Sequence, residues 1–360
     1  MAKGILLNPI YQSDIKYAAE LSIDWDRLEG KTILITGATG MIASVLIDIL
    51  MHRNKGLATE EGVRVIAVSR NETRARERFG EYWDSQHFSY LSHDITKPLP
   101  NLGDVSYILH AASNTHPRAY ATDPIGTINA NVEGTQRLLE YAISHTCERF
   151  FFFSSVEIYG ENRRDTEQFD ESYLGYIDCN TVRAGYSESK RLGEALCNAY
   201  SAQKGQDFVI GRFSRVYGPT MLEEDSKAIA QFVKKAVAGE DIVLKSDGKQ
   251  IYSYTYVVDA AVAVLYLLMY ANPGVAINIA DRNSDISLKD LAGTLAELAH
   301  TDVVFEQPDE IERAGYSVAT RATLDPTKIE ALGWRAHTSI REGLRKTLEC
   351  LKVCDSNSNS

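Results

Sequence analysis

The chain has no Cys-x-x-Cys pair, and its five cysteines, Cys147, Cys179, Cys197, Cys350 and Cys354, are an odd number spread over 360 residues. That usage excludes a disulfide scaffold and suits a reducing compartment. Long apolar runs are missing too. The N-terminus "MAKGILLNPI" holds only four apolar or small residues in a row before Asn8-Pro9, too few for the apolar region of a signal peptide. The most apolar later stretch, Val257 to Tyr270, is broken by Asp259 and falls short of the roughly 20 residues a bilayer requires. Positive charge is scarce: 38 Lys and Arg stand against 49 Asp and Glu, and the formal charge of -11 argues against nucleic acid or an anionic membrane as partner. The histidines, among them His110 and His116, show no metal-ligand spacing, so packing or loop roles are expected and no metal. These absences lead to the expectation of a cytoplasmic protein.

What is present is an ordinary globular composition, 44% hydrophobic and 24% charged, in a length that admits about two domains. Short β-branched or aromatic runs alternate with helical patterns: "KTILITG" then 40–53, "VRVIAVS" then 72–79, "YILHAA" then 127–145, "RFFFFSS" then 186–204, "DFVIGRF" then 226–238. Alternation of this kind is the mark of βαβ units, and the near-continuous apolar character of the strands indicates a parallel sheet covered on both faces. The expected fold is therefore α/β, a Rossmann-type doubly wound parallel sheet with a smaller C-terminal α/β substrate lobe. Residues 1–30 read as an extension and 31–213 as the dinucleotide-binding domain, with 255–281 returning to it. Residues 214–254 and 282–352 form the lobe, and "DSNSNS" closes a polar tail, 353–360, expected to be disordered.

"LITGATGMIASVLIDIL" sets Gly37, Gly40 and Ala43 between a strand and a helix. Glycines there let the backbone turn tightly and approach a pyrophosphate, while the helix N-terminus supplies amide donors and the positive end of its dipole. The second strand ends in Ser69 and Arg70, where an NAD-selective site has a carboxylate for the ribose hydroxyls. An arginine at that place can meet a 2′-phosphate, so the cofactor is NAD or NADP, with Arg70 favouring NADP, or Arg70 stands in solvent. In "SHDIT", Asp94 either reaches an adenine edge or is a solvated loop residue.

"RAGYSESKRLGE" carries Tyr186 and Lys190 at i and i+4, so the two share one helix face. A phenol with a pKa near 10 is a poor base at neutral pH, and a neighbouring ammonium stabilises the phenolate. Upstream, "FSSVEIYG" ends a strand with Ser155, placed to hydrogen-bond a reacting hydroxyl, and with Glu157.

Together these segments resemble the extended short-chain dehydrogenase/reductases that act as nucleotide-sugar epimerases, dehydratases and decarboxylases. The resemblance spans about residues 30–350 and includes TGATGMIAS (36–44), LHAAS (109–113), SSVEIYG (154–160), YSESK (186–190), RFSRVYGP (212–219), YTYVVDAA (254–261), RATLDPTKI (321–329) and LGW (332–334). It implies oxidation at sugar carbon 4, chemistry on the 4-keto sugar, return of the hydride, and a homodimer formed by two helices per subunit. It assigns Gly37, Thr39, Gly40, Met41, Ile42, Ser69, Arg70, Asp94, Ile95, Ala111, Ala112, Ser113, Tyr186 and Lys190 to the cofactor. Tyr186, Lys190, Ser155 and Glu157 become catalytic.

Dehydratases of the family show an Asp-Glu pair where this chain has Val156 and Glu157, so elimination of water loses its acid here. UDP-glucuronate decarboxylases are the nearest in motif, sharing the glutamate alone and the pattern from Arg183 to Glu194. Decarboxylation of a uronate therefore ranks first, 4-epimerisation second and 4,6-dehydration third. A non-catalytic NAD(P)-binding sensor is the alternative of a different class. Two positions depart from the family: its asparagine in RxFNxYGP is Arg215, and its arginine seven residues before Asp259 is Tyr252. Arg118, Arg183, Arg215, Tyr252 and Arg321 are the expected substrate-binding residues, with Arg321 matching an arginine that meets the pyrophosphate.

Overall fold

The computed structural model describes residues 4–307 and 319–358. The N-terminal extension is ordered around helix α1 (Pro9–Ala19), which starts because Asn8 accepts from the amides of Ile10 and Tyr11 and Pro9 fits the first helical position. Seven apolar runs then make strands β1 (Thr32–Thr36), β2 (Arg64–Ser69), β3 (Phe88–Ser92), β4 (Tyr107–His110), β5 (Arg149–Ser155), β6 (Phe208–Phe213) and, after a short β7 (Arg215–Tyr217), β8 (Ile242–Leu244) and β9 (Ile251–Tyr256), β10 (Val275–Ile279). They form one parallel sheet in the order β10-β6-β5-β4-β1-β2-β3. Every residue of β1 and β4 is buried, as the continuous apolar runs require when helices cover both faces. The α/β Rossmann-type fold expected from the alternation is the one observed.

The crossovers are α2 (Met41–Arg53), α3 (Glu72–Phe79), the short α4 (Pro117–Thr122) leading into α5 (Pro124–Ser144), and α6 (Ala184–Lys204). Helix α5 begins three residues before the 127–145 expected from hydrophobic period. Asp123 caps it by accepting from the Gly126 amide at 3.1 Å, and Pro124 occupies its first turn.

Beyond β6 the chain builds two smaller sheets. In one, β9 pairs with β7, with β11 (Asp285–Ser287) and with β13 (Arg321–Ala322); in the other, β12 (Val303–Phe305) pairs with β8. Helices α7 (Ala228–Ala238) and α9 (Leu288–Ala299) pack beside them, while α8 (Val257–Tyr270) packs on the main sheet's helix α2. Asp259 on α8 accepts from the amides of His337 and Thr338, each at 3.0 Å, and so fixes the chain just before the C-terminal helix. That helix runs Ile340–Ser358. Extending an existing, packed helix adds a hydrogen bond per residue without a new nucleus, so polar composition alone does not end it. Residues 359–360 of the expected tail lie outside those described.

The extension is locked in place by a buried polar cluster. Asp48 on α2 accepts from Arg78 on α3, from Tyr11 on α1 and from Tyr82. Arg78 and Asp48 are almost wholly out of water. Arg78→Met strands the Asp48 carboxylate inside the protein, and removing one partner of a buried pair costs about 3–5 kcal/mol. A urea-unfolding midpoint lowered accordingly is the expected result, and an unchanged midpoint would contradict it.

Candidate active site

Strand order reverses between β1 and β4, and a cleft of about 390 Å³ opens outside their carboxyl ends. Gly37 leaves β1 at φ 63°, and a Cβ on it would lie 2.7 Å from the backbone of Ala112, so neither the turn nor the approach of the β4 loop tolerates a side chain. The two loops are tied by Thr36, whose Oγ1 lies 2.9 Å from His110 Nδ1 and accepts from the Ala112 amide at 3.3 Å. His110 itself packs against Phe150 and Phe152, a structural role as expected.

Gly40 caps α2 without a side chain, which leaves the amides of the first turn facing the cleft. Gly37, Thr39, Gly40, Met41, Ile42, Ser69, Arg70, Asp94, Ile95, Ala111, Ala112 and Ser113 all line this cleft, so the structure brings the expected cofactor residues together. A bare glycine turn, open helix amides and a long cleft fit a dinucleotide diphosphate. At the end near β2, Arg74 Nη1 meets Glu224 Oε1 at 2.6 Å across the cleft. The Asp94 carboxylate accepts from the Thr96 amide and hydroxyl, which hold its pKa below the usual range.

At the other end, α6 presents Tyr186 and Lys190 to the cleft. Lys190 Nζ donates to the Phe153 carbonyl on β5 at 2.8 Å. Ser155, two residues further along β5, lies beside the Tyr186 phenol and lowers its pKa. Burial pushes Tyr186 up to about 12, the neighbouring hydroxyls of Ser155 and Tyr120 pull against that, and Glu157 adds to it. Burial also draws the Lys190 ammonium down to about 7, with Glu194 opposing. Glu194 opposes weakly because its carboxylate is already engaged by Arg212 at 2.7 Å and by the Ser154 hydroxyl. The arrangement is a phenol with two hydroxyl neighbours and a titratable amine on one helix face: a device for moving a proton to and from a substrate hydroxyl.

Tyr120 on α4 stacks on Tyr186 with ring centroids 4.6 Å apart. No motif in the sequence marks it. Its one signal is an aromatic residue inside the loop that follows LHAAS, and only the turn of α4 toward α6 gives that meaning.

Glu157 lies in the cleft wall beside these groups. Burial alone would raise its pKa, but Arg183 and Arg215 outweigh burial and hold it below the usual carboxylate value. Its Oε2 takes Arg183 Nη2 at 2.9 Å and its Oε1 lies 3.5 Å from Arg215 Nη2. Tyr252 forms a floor under Arg215, with the guanidinium carbon 3.7 Å from the ring centroid. Of the other expected substrate residues, Arg118 is exposed on α4 and Arg321 is exposed on β13; neither contributes to the cleft wall. Among the described residues there is no cluster of His, Cys, Asp or Glu that could hold a metal ion, and no helix long and apolar enough to cross a membrane.

Comparison with known proteins identifies the family. Residues 33–280 match the NAD dependent epimerase/dehydratase family. UDP-glucuronic acid decarboxylase 3 of Arabidopsis thaliana is 31% identical over 316 residues, covering 87% of this chain and 86% of that protein. UDP-glucuronic acid decarboxylase 1 of Xenopus tropicalis is 30% identical over 325 residues, 88% of this chain and 71% of that protein. Among solved structures, the UDP-glucose 4-epimerase of Thermotoga maritima superposes with a TM-score of 0.77 at 23% identity, covering 89% of this chain and 99% of that one. The UDP-glucuronic acid 4-epimerase of Bacillus cereus, solved with UDP-glucuronic acid and NAD, gives 0.76 at 21% identity over 89% and 99%. With the sheet order, the glycine turn and the tyrosine–lysine pair in place, the chain belongs to the NAD dependent epimerase/dehydratase family of extended short-chain dehydrogenase/reductases.

Proposed function

We propose that the protein is an enzyme that remodels a nucleotide-activated sugar through a 4-keto intermediate, with decarboxylation of UDP-glucuronate ranked first. The observation that carries this is the convergence of Ser155, Tyr186 and Lys190 at one end of a cleft whose other end is a dinucleotide turn. A bound nicotinamide supplies the place to which the carbon-4 hydride goes and from which it returns. Tyr186 takes the proton of the carbon-4 hydroxyl, Ser155 orients that hydroxyl, and protonated Lys190 favours the phenolate. Glu157, held ionised by two arginines, is a poor proton donor, and Val156 beside it is buried and apolar. That pair disfavours the loss of water and leaves the loss of carbon dioxide into an adjacent ketone unobstructed. The same residues serve a 4-epimerase, which needs no further acid or base.

Arg70, just past the end of β2 where an NAD-selective site carries a carboxylate, favours NADP over NAD. Exposed Ile125 and Ile128 on α5 and Leu192 on the adjoining α6 favour a homodimer through these two helices. The enzyme is assigned to the cytoplasm on its cysteine usage. Incubating the purified protein with UDP-, dTDP-, GDP- and CDP-sugars and uronates, with products followed by mass, is the test. Loss of carbon dioxide from UDP-glucuronate is expected. No change in any sugar under any cofactor condition would return the chain to the class of binding modules.

A further inference from the structure

Arg215 opens β7 with its side chain largely buried in the cleft wall, yet its Nε and Nη2 are buried without a hydrogen bond. Nε is an unused donor and Nη2 reaches only the Glu157 carboxylate, at 3.5 Å, on a group that is costly to remove from water. Arg183 and Arg215 share the single carboxylate of Glu157, while the nearby Lys227 is occupied by Asp225 at 3.0 Å. An oxyanion is what completes a guanidinium whose donors are not all met.

The position of that charge relative to Tyr186 indicates which oxyanion. Arg215 Nη2 lies 3.5 Å from the carboxylate of Glu157, which follows Ser155 by two residues in the same cleft wall as Tyr186, so the guanidinium lies toward the end of the sugar that carries the reacting hydroxyl. In a hexopyranose, carbon 1 and its diphosphate stand across the ring from carbon 4, whereas carbon 5 and its substituent, carbon 6, are next to it. A carboxylate at carbon 6 is therefore the anion of a nucleotide-uronate that falls nearest Arg215.

The strands explain how the cation comes to be there. β7 runs parallel to β9 with Arg215 opposite Tyr254, and Tyr252 is two residues earlier on the same face of β9. The guanidinium thus leans across to the Tyr252 ring, which holds it flat. Where the family has an arginine at position 252, this chain keeps a cation in the neighbourhood by supplying it from the adjacent strand.

We propose that Arg215, seated on Tyr252, is the specificity-determining residue that makes this enzyme prefer a nucleotide-uronate, through the carbon-6 carboxylate, over the neutral nucleotide-hexose. The proposal rests on the reading of the cleft as a nucleotide-sugar site. Calorimetric binding of UDP, UDP-glucose and UDP-glucuronate to the cofactor-loaded Tyr186→Phe protein, which does not turn over, tests it. UDP-glucuronate is expected to bind at least about 10-fold tighter than UDP-glucose, the scale of one charge-assisted hydrogen-bonded contact. Adding Arg215→Met should collapse that ratio toward one while UDP binds as before, which also shows that the variant is folded. Arg215→Lys should retain part of the preference, as a point charge without the fork. Three results overturn the assignment: equal loss of UDP and UDP-glucuronate affinity, which would put Arg215 on the diphosphate; an unchanged preference in Arg215→Met; or no preference at the start. Failure of UDP and both sugars to bind would instead overturn the nucleotide-sugar reading itself, and this proposal with it.

Discussion

Replacing Tyr186 by phenylalanine is expected to lower kcat roughly 10²–10⁴-fold, the usual worth of a positioned general base, with little change in KM. The phenol is buried and lies at the meeting point of Ser155, Tyr120 and Glu157, so its hydroxyl is the atom placed to exchange a proton with a substrate. The substitution removes that one oxygen and keeps the ring, which continues to stack on Tyr120 at 4.6 Å. Fold and cleft are thereby preserved, and the loss should fall on the chemical step. Single-turnover measurement with UDP-glucuronate separates the outcomes. A variant that binds the sugar but forms the 4-keto species at the wild-type rate would sink the catalytic role of Tyr186.

Lys190→Met is expected to move activity and stability in opposite directions. Activity falls because the ammonium that favours the phenolate is gone. Stability rises because burial holds Lys190 at about 7 against an ordinary value of 10.5. Between those pH values the unfolded chain binds more protons than the folded one, so the wild-type protein gains stability as pH rises through this window and is penalised most below pH 7. At about 1.4 kcal/mol per pKa unit, relief of the penalty at pH 7 is on the order of 4–5 kcal/mol. The Phe153 carbonyl then loses its donor, which costs about 1–2 kcal/mol and leaves a net gain of about 3 kcal/mol. Urea unfolding of the cofactor-free proteins at pH 7 and pH 10 tests the sign. Methionine should win at pH 7 and lose its advantage by pH 10; a variant less stable than wild type at pH 7 would show that the lysine is not buried against its charge.

How much of the site was readable in one dimension differs from residue to residue. Gly37 and Gly40 were legible because a glycine between an apolar strand and an amphipathic helix has few other reasons to exist, and a Cβ at Gly37 would collide with Ala112. Tyr186 and Lys190 were legible because helix period alone puts i and i+4 on one face. Tyr120 was not: its meaning comes from α4 turning a loop aromatic onto α6, a contact with no period. Nor did the chain announce that Arg118 and Arg321 stay exposed while Arg183 and Arg215 converge on Glu157.

By itself, then, the amino-acid sequence determined the features that local period and composition dictate: the βαβ alternation, the parallel sheet buried on both faces, the glycine turn and the tyrosine–lysine face. Tertiary structure alone decided the features that depend on bringing distant segments together. It set the ionisation of Glu157 between two arginines from α6's start and β7, the low value of Lys190, the stacking of Tyr120 on Tyr186, and the seat of Arg215 on Tyr252. The physical reason is that period and propensity act over a few residues, whereas desolvation and charge act through space, and their magnitudes exist only once the neighbours are in place.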